Sequence, residues 1–284
     1  MKTIGLVLEG GGMKGVYTAG VLEYFMEKEL YFPYVIGVSA GACMAASYLS
    51  RQKGRNKKVN IDLVSDPRYL SFRNFVTKRQ MFGMDFLFDE IPKNIVPFDF
   101  DTFLQGPERM IVGATDCETG EAVYYTKQEH GENMLQIIRA SSSLPFIAPS
   151  VEYQGKHLLD GGIIDPIPIR KSQADGNRKN IIVMTKEENY TLQPSRFSSV
   201  MKLFLKKHPR IGERLIERHR LYKETLTHIE SEKETGNVLV IQPSAPIGVR
   251  RIEKDQNKLL QLYELGYADA KRREQEIRQF IEAE

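Results

Sequence analysis

The sequence has few cysteines and no long apolar run, and both shortages narrow the class of protein. Cys43 and Cys117 are its only cysteines, and they fit neither a disulfide framework nor a metal site, which indicates a reducing compartment. No window approaches the roughly 18–20 consecutive apolar residues of a membrane-spanning helix. Residues 3–8 are too short for a signal-peptide core. We therefore expect a cytoplasmic protein that contacts a membrane only peripherally.

A strong charge of one sign is also missing. The 284 residues carry a net charge of +3, so the composition gives no signal for nucleic-acid binding, and we expect no nucleic-acid partner. With 41% apolar and 27% charged residues, the chain has the composition of a globular protein with a sizeable core. No cluster of metal ligands is found, and we expect no metal and no cofactor. The sequence leaves the oligomeric state open.

Short apolar runs alternate with amphipathic stretches along the first fifty residues. This order of strand, helix, strand and helix predicts parallel pairing and a layered α/β core. Further strands are predicted at 109–114, 121–126, 180–185 and 237–242, and helices at 131–142, 196–206, 210–232 and 255–282.

The chain divides into a core and a C-terminal part. Residues 1–190 are predicted to form the core, and residues 191–284 a mostly helical part with one further core strand at about 237–242. Residues 202–223 carry eight Lys or Arg against two Glu, and the helix predicted at 210–232 carries an apolar stripe. We interpret it as a helix packed on the core, with a position on an anionic membrane as the alternative. The stripe consists of Ile211, Leu215, Tyr222, Leu226 and Ile229.

Two segments interrupt the alternation within the core. Residues 51–58 carry five positive charges and no acid, which predicts an exposed basic loop. Residues 68–103 hold nine aromatic residues, and Pro92 and Pro97 break regular structure there. We interpret this segment as an insertion over the core, whose aromatic residues either pack the core or form a lid or acyl-chain pocket.

A nucleophile elbow is predicted at residues 37–41. Ser39 stands between Gly37 and Gly41, after the apolar strand at 34–36 and before the Ala-rich helix at 42–49. In the G-x-S-x-G elbow, a turn that admits only small residues holds the serine hydroxyl clear of the backbone. Alone, the pentapeptide also fits a small-residue turn in a packed core.

A glycine-rich loop, residues 10–15, follows the first strand. Its G-x-G-x-x-G pattern also occurs in dinucleotide-binding sites, but no acidic residue ends the next strand, which disfavours that function. A phosphate-binding P-loop is excluded because no Lys-Ser/Thr pair follows. The remaining interpretation is an oxyanion hole, in which backbone N–H groups face the charge on an attacked carbonyl. The predicted donors are Gly11, Gly12 and Met13, supported by Gly10, Lys14 and Gly15, with Lys14 supplying positive potential or lying solvated at the surface.

A third motif, Asp160-Gly161-Gly162, follows a short apolar strand. Alone it is typical of a turn. The glycine loop, Gly-x-Ser-x-Gly and Asp-Gly-Gly in this order resemble the patatin-like phospholipases. The small-residue segment 140–146, which ends Leu-Pro-Phe, strengthens the resemblance. It covers residues 3 to about 170, and no motif beyond 170 carries chemistry.

The resemblance implies a three-layer α/β sandwich with a mainly parallel sheet and a lipid or fatty-ester substrate. It also implies a Ser–Asp dyad, with Ser39 as nucleophile and Asp160 as general base and acid. None of the five histidines occupies a recognisable base position. A histidine-dependent triad, with His157 as its candidate, is a minor alternative.

Two other functions remain open on the sequence. The same dyad could transfer the acyl group to another alcohol. Alternatively, the chain could keep the elbow without turnover and bind a nucleotide or a lipid. Head group, chain length and positional preference are not indicated by any motif.

Overall fold

The computed structural model describes residues 4–188, 190–193, 206, 208–246 and 248–283. Within these ranges, eight strands form one mixed sheet, which confirms the predicted α/β class. The strands are β1 (Ile4–Leu8), β2 (Tyr34–Val38), β3 (Arg109–Asp116), β4 (Ala122–Thr126), β5 (Val151–Tyr153), β6 (Lys156–Asp160), β7 (Lys179–Val183) and β8 (Val238–Ile241).

The order across the sheet is β5-β6-β3-β2-β1-β7-β8, with β4 also paired to β3. The run from β3 to β8 is parallel, whereas β4 and β6 are antiparallel to β3. Val38 pairs with Gly113, and the next residue of β3, Ala114, pairs with Asp160. This register places the carboxyl ends of β2 and β6 at the same level on either side of β3, so Ser39, directly after β2, and Asp160, the last residue of β6, lie at strand ends that pair with neighbouring residues of β3.

Helices cover both faces of the sheet, as the predicted three-layer arrangement requires. In β1, Leu6 and Leu8 join one buried cluster while Val7 joins the other, because side chains alternate along a strand. The helices are α1 (Val16–Glu27), α2 (Ala40–Leu49), α3 (Arg55–Lys57), α4 (Phe72–Lys78), α5 (Phe100–Gln105), α6 (Lys127–His130), α7 (Met134–Ser141), α8 (Ile169–Ala174), α9 (Pro209–Glu234), α10 (Gln256–Arg272) and α11 (Glu274–Glu282).

The exposed basic loop predicted at 51–58 is wrong in part: its three lysines are exposed, but its two arginines are half-buried. The segment becomes helical at Arg55, where α3 continues into a π-helix over Lys58–Asp62. Arg51 stacks on Tyr31, 3.5 Å from the ring centroid, and forms an ion pair with Glu108. The prediction rested on charge alone. Arg51 and Arg55 instead pack on the rings of Tyr31 and Phe98, and Arg51 pairs with Glu108, which is distant in sequence.

The C-terminal helices agree with the sequence in part. Helix α9 confirms the helix predicted at 210–232, and its apolar stripe packs into the buried clusters. The single helix predicted at 255–282 is instead two helices, α10 and α11, with a break at Arg273, whose guanidinium binds the Val240 carbonyl. Except for Lys206, the helix predicted at 196–206 lies outside the described residues.

The aromatic-rich insertion at 68–103 contains α4, a π-helix over Phe86–Ile95 and the start of α5. Phe98 and Phe103 are buried in the core, whereas Phe72 is 71% exposed. Some aromatic residues of the insertion therefore pack in the core, whereas others face solvent. Among the described helices, none offers an apolar stretch of the length that a membrane crossing requires.

Candidate active site

Ser39 occupies a strained turn between β2 and α2. Its φ of 54° and ψ of −123° lie in a region that residues other than glycine rarely adopt. Two hydrogen bonds hold the turn: the Ser39 N–H donates to Ser141 Oγ at 2.8 Å, and that hydroxyl donates to the Gly113 carbonyl at 2.6 Å. A Cβ on Gly41 would overlap the Leu8 carbonyl oxygen, so the helix can approach β1 only with glycine there. This geometry is that of a nucleophile elbow.

Asp160 is held by its backbone at the end of β6. Its N–H donates to the Ser143 carbonyl at 2.9 Å, and its own carbonyl accepts from Thr115 Oγ1 at 2.8 Å. Oδ1 accepts the Gly162 N–H at 2.7 Å. Oδ2 is buried and accepts no hydrogen bond from any described residue. One carboxylate oxygen is thus fixed by the backbone, and the other has no hydrogen-bond partner among the described residues.

The Asp160 carboxyl is tuned by burial and by nearby donors. Burial raises its pKa, while the Ser39 hydroxyl, the Gly162 N–H and the charges of Arg251 and Arg218 act to lower it. The hydroxyl is therefore near enough to affect the carboxyl, although no well-formed hydrogen bond joins them. A raised pKa makes an aspartate a stronger base.

The glycine loop lies beside the serine and continues into a 3₁₀ helix over Gly12–Gly15. The Gly11 and Gly12 N–H groups donate to no acceptor among the described residues, and both glycines line a cavity together with Ser39 and Asp160. The Met13 N–H instead donates to the Arg251 carbonyl at 3.0 Å. Two of the three predicted oxyanion donors are therefore free in this conformation.

The supporting residues lie around this loop. The Gly10 N–H donates to the Pro166 carbonyl at 3.1 Å, and the Lys14 ammonium lies 5.4 Å from the Tyr190 ring centroid. Gly15 packs against α2, where a Cβ would meet that of Ala40 at 2.5 Å. Of these three, Gly10 lies nearest the serine, since a Cβ there would be 3.3 Å from that of Ser39.

Glu9, which directly precedes the glycine loop, connects that loop to other elements of the fold. This fully buried carboxylate accepts hydrogen bonds from the Thr185 N–H at 2.6 Å and from the Tyr222 hydroxyl at 2.9 Å, and it forms an ion pair with Lys186. These partners come from the end of β7 and from α9. The residue before the glycines is thereby tied to the C-terminal part of the chain.

Ser39 also lines a second cavity, which is largely apolar. Its lining from the insertion includes Tyr69, Phe82, Phe88 and Phe98. Cys43 also lines it, but burial raises the pKa of its thiol to about 11, so the thiol is protonated at neutral pH. Ser39 is thus the better candidate nucleophile. The largely apolar lining of this cavity is of the kind that suits an acyl chain.

Histidine and metal alternatives find no support in the geometry of the described residues. His157 is exposed on β6, and no histidine lines either cavity at Ser39. In the described part of the chain, no three histidine, cysteine, aspartate or glutamate side chains cluster as metal ligands would.

A family model described as patatin-like phospholipase matches residues 6–171, more than half of the chain. The chain belongs to the patatin-like phospholipase family. Membership in this family places it among the lipid hydrolases and confirms the resemblance inferred from its motifs. A second model, a domain of unknown function (DUF6363), matches residues 208–282.

Relatives of this patatin-like chain differ in length from it. The uncharacterized protein YjjU of Escherichia coli K12 is 27% identical over 252 residues, which cover 86% of this chain and 69% of YjjU. Lysophospholipase NTE1 of Scheffersomyces stipitis is 24% identical over 291 residues, covering 94% of this chain but only 18% of that protein. The structure of VipD from Legionella pneumophila, at 13% identity, aligns with a TM-score of 0.57 over 96% of this chain and 66% of VipD, which shows a shared fold.

Sequence reasoning missed several residues around the patatin-like motifs. Ser141 lies in the segment singled out at 140–146, but its bond to the Ser39 N–H had no sequence signal. Arg218 and Arg251 line the cavity at Ser39, although they follow the last motif by more than fifty residues. Only the fold brings them there.

Proposed function

We propose that this protein hydrolyses carboxylic ester bonds of lipids through an acyl-enzyme on Ser39, with Asp160 as general base and acid. The observation that carries the proposal is the buried, unpartnered Oδ2 of Asp160 beside the strained Ser39 turn. A base must lie within reach of the proton it removes, and the influence of the Ser39 hydroxyl on the Asp160 pKa indicates such proximity.

The reaction proceeds in two halves. Ser39 Oγ attacks the ester carbonyl carbon while its proton passes to Asp160, and the carbonyl oxygen becomes an oxyanion that the Gly11 and Gly12 N–H groups stabilise. The carbon–oxygen bond to the alcohol then breaks, and Asp160 returns the proton to that alcohol. A water molecule next gives a proton to Asp160 and attacks the acyl carbon. The bond from that carbon to Ser39 Oγ then breaks, Asp160 returns the proton to Oγ, and the fatty acid is released.

The substrate class follows from the cavity and from the relatives. The apolar cavity beside Ser39 suits an acyl chain, and a relative of this chain is named a lysophospholipase. Because the chain spans 18% of that relative, the name supports the substrate class and not a detailed specificity. We propose lysophospholipids and related single-chain esters as substrates.

The test is fatty-acid release from a lysophospholipid by the purified full chain. Ser39→Ala and Asp160→Asn are each expected to lower kcat/KM by at least about 1,000-fold, because the members of a catalytic group act as a unit. Asp101→Asn, which removes an exposed carboxylate from α5, is the matched control and should retain activity. Release that persists in Asp160→Asn would contradict the dyad.

Unfolding of the same variants separates catalysis from folding. The pKa of Asp160 is raised in the folded state, so its carboxyl favours folding at low pH, and this contribution is lost as pH rises through the folded pKa. At pH 7, Asp160→Asn should therefore melt at the same temperature as the wild type or higher.

A product other than fatty acid, formed when alcohols are added, would indicate acyl transfer.

A further inference from the structure

Two arginines from the C-terminal part of the chain reach the catalytic cavity. Arg218 lies on α9, and Arg251 lies between β8 and α10, so both fall outside the region matched by the patatin-like model. They are half-buried and line the cavity that also contains Ser39, Gly11 and Asp160. Ser39 therefore lines two cavities, one largely apolar and one that contains two arginines.

Neither guanidinium has a carboxylate partner within 4 Å among the described residues, unlike its neighbours. On α9, three other arginines form ion pairs with glutamates three or four residues away, at 2.8–3.3 Å. These pairs are Arg210–Glu213, Arg214–Glu217 and Arg220–Glu224. Arg218 shares their helix but faces the cavity, where no glutamate meets it.

Both arginines are fixed against the catalytic loops. Arg218 Nε donates to the Gly162 carbonyl at 2.6 Å, and the Arg251 carbonyl accepts the Met13 N–H at 3.0 Å. A Cβ on Gly12 would lie 2.7 Å from Arg251 Cγ, so the arginine stem packs directly over the glycine loop. Arg218 is thus held by its guanidinium and Arg251 by its backbone and stem, and no other hydrogen bond from either guanidinium is found among the described residues.

The local charges do not balance. Glu9 is engaged by Lys186, which leaves Asp160 as the carboxylate that Arg218 and Arg251 both face. Burial and the charge of Arg251 lower the pKa of Arg218, and the charges of Asp160 and Glu9 offset this lowering only in part. An oxyanion placed between the two guanidinium groups would relieve this repulsion.

We propose that Arg218 and Arg251 form an anion-binding subsite for the phosphate group of a lysophospholipid substrate. Guanidinium forks match phosphate oxygens in geometry and charge. In such a lipid, the phosphate and the acyl chain are attached to different carbons of the glycerol and can extend in opposite directions. With the chain in the apolar cavity and the ester at Ser39, the phosphate would face the two arginines. The hydrolytic part of this inference rests on the proposed function, whereas the binding part does not.

Substrate selectivity tests the subsite. For the wild type, kcat/KM should be higher for lysophosphatidate than for the monoacylglycerol with the same acyl chain. Arg218→Gln and Arg251→Gln, made separately, should each reduce this ratio by about ten-fold or more, as expected for the loss of a charged hydrogen bond. Arg220→Gln, on the same helix but exposed and paired with Glu224, is the matched control and should leave the ratio unchanged. Equal losses on both substrates would overturn the proposal and assign the arginines to Asp160 or to the oxyanion.

Binding to the Ser39→Ala variant separates the subsite from catalysis. Calorimetry should detect lysophosphatidate, with an affinity that falls about ten-fold or more when Arg251→Gln is added. If the wild type hydrolyses nothing but this difference persists, the subsite stands and the proposed function fails. If inorganic phosphate binds as tightly as lysophosphatidate, the assignment to a lipid head group is overturned. Melting temperatures of each arginine variant establish that it folds.

Discussion

At the scale of single residues, the two oxygens of Asp160 have different surroundings, and this difference organises the site. Oδ1 is fixed by the Gly162 N–H, whereas Oδ2 is buried and has no hydrogen-bond partner in the described part of the chain. An unpartnered buried carboxylate oxygen is costly, so the fold bears a strain that catalysis can use. Ser39, with its left-handed φ, carries a second strain beside it.

The pH dependence of activity should report the Asp160 carboxyl. Only the ionised carboxylate can accept the serine proton, so kcat/KM should rise with pH, with a midpoint above the ordinary aspartate value of 3.8 because burial raises this pKa. Arg218→Gln removes a cation that lowers the same pKa and should move the midpoint to higher pH. The measurement is the pH profile of kcat/KM for a neutral ester. A midpoint at or below 3.8, or a shift to lower pH in the variant, would contradict the account.

Motifs predicted some of these residues and missed others for a physical reason. Ser39 and Asp160 were predicted because an elbow and an Asp-Gly-Gly turn each need a characteristic local sequence. The bond from the Met13 N–H to the Arg251 carbonyl joins residues that are more than two hundred positions apart. No local pattern contains such a pair.

At the scale of elements, the crossing of α1 and α10 fixes the C-terminal part on the core. A Cβ on Gly266 would overlap the Tyr17 carbonyl, and one on Gly20 would overlap the Tyr263 carbonyl. The Tyr17 hydroxyl donates to Asp269 Oδ2 at 3.0 Å across the same contact. The two backbones can approach so closely only because both positions are glycine.

Gly266→Ala should therefore weaken this contact. Because the obstacle is a backbone carbonyl and not a flexible side chain, we expect the free energy of unfolding to fall by about 1–3 kcal/mol. Denaturant unfolding monitored by circular dichroism measures it. Glu264→Ala, at an exposed position on the same helix, is the control and should change stability by less than about 0.5 kcal/mol. Equal stability of the two variants would show that the helices can separate without cost.

Elements were predictable where burial alone decides them. β1 and β2 are buried throughout because helices cover both their faces, and β2 begins at residue 34 as predicted. The three-residue strand β5 is too short to show a pattern. At the break between α10 and α11, the Arg273 guanidinium binds a carbonyl of β8, which is distant in sequence. The amphipathic pattern of the local sequence runs through this position and does not indicate the break.

At the scale of the whole molecule, the two parts of the chain build one sheet and one site. β8 extends the sheet beside β7, and α9 covers its face, with Tyr222 reaching Glu9. The division near residue 190 stays a prediction, as does peripheral contact with an anionic membrane. The region matched by the domain of unknown function supplies side chains at the cavity, a role its own sequence did not indicate.

Covalent labelling of the intact chain by a fluorophosphonate, followed by mass spectrometry of the peptides, tests the central claim most directly. The account predicts one modified residue, Ser39, with no label there in Ser39→Ala and much slower labelling in Asp160→Asn. A wild-type protein that stays unlabelled, or a label that persists in Ser39→Ala, would contradict it.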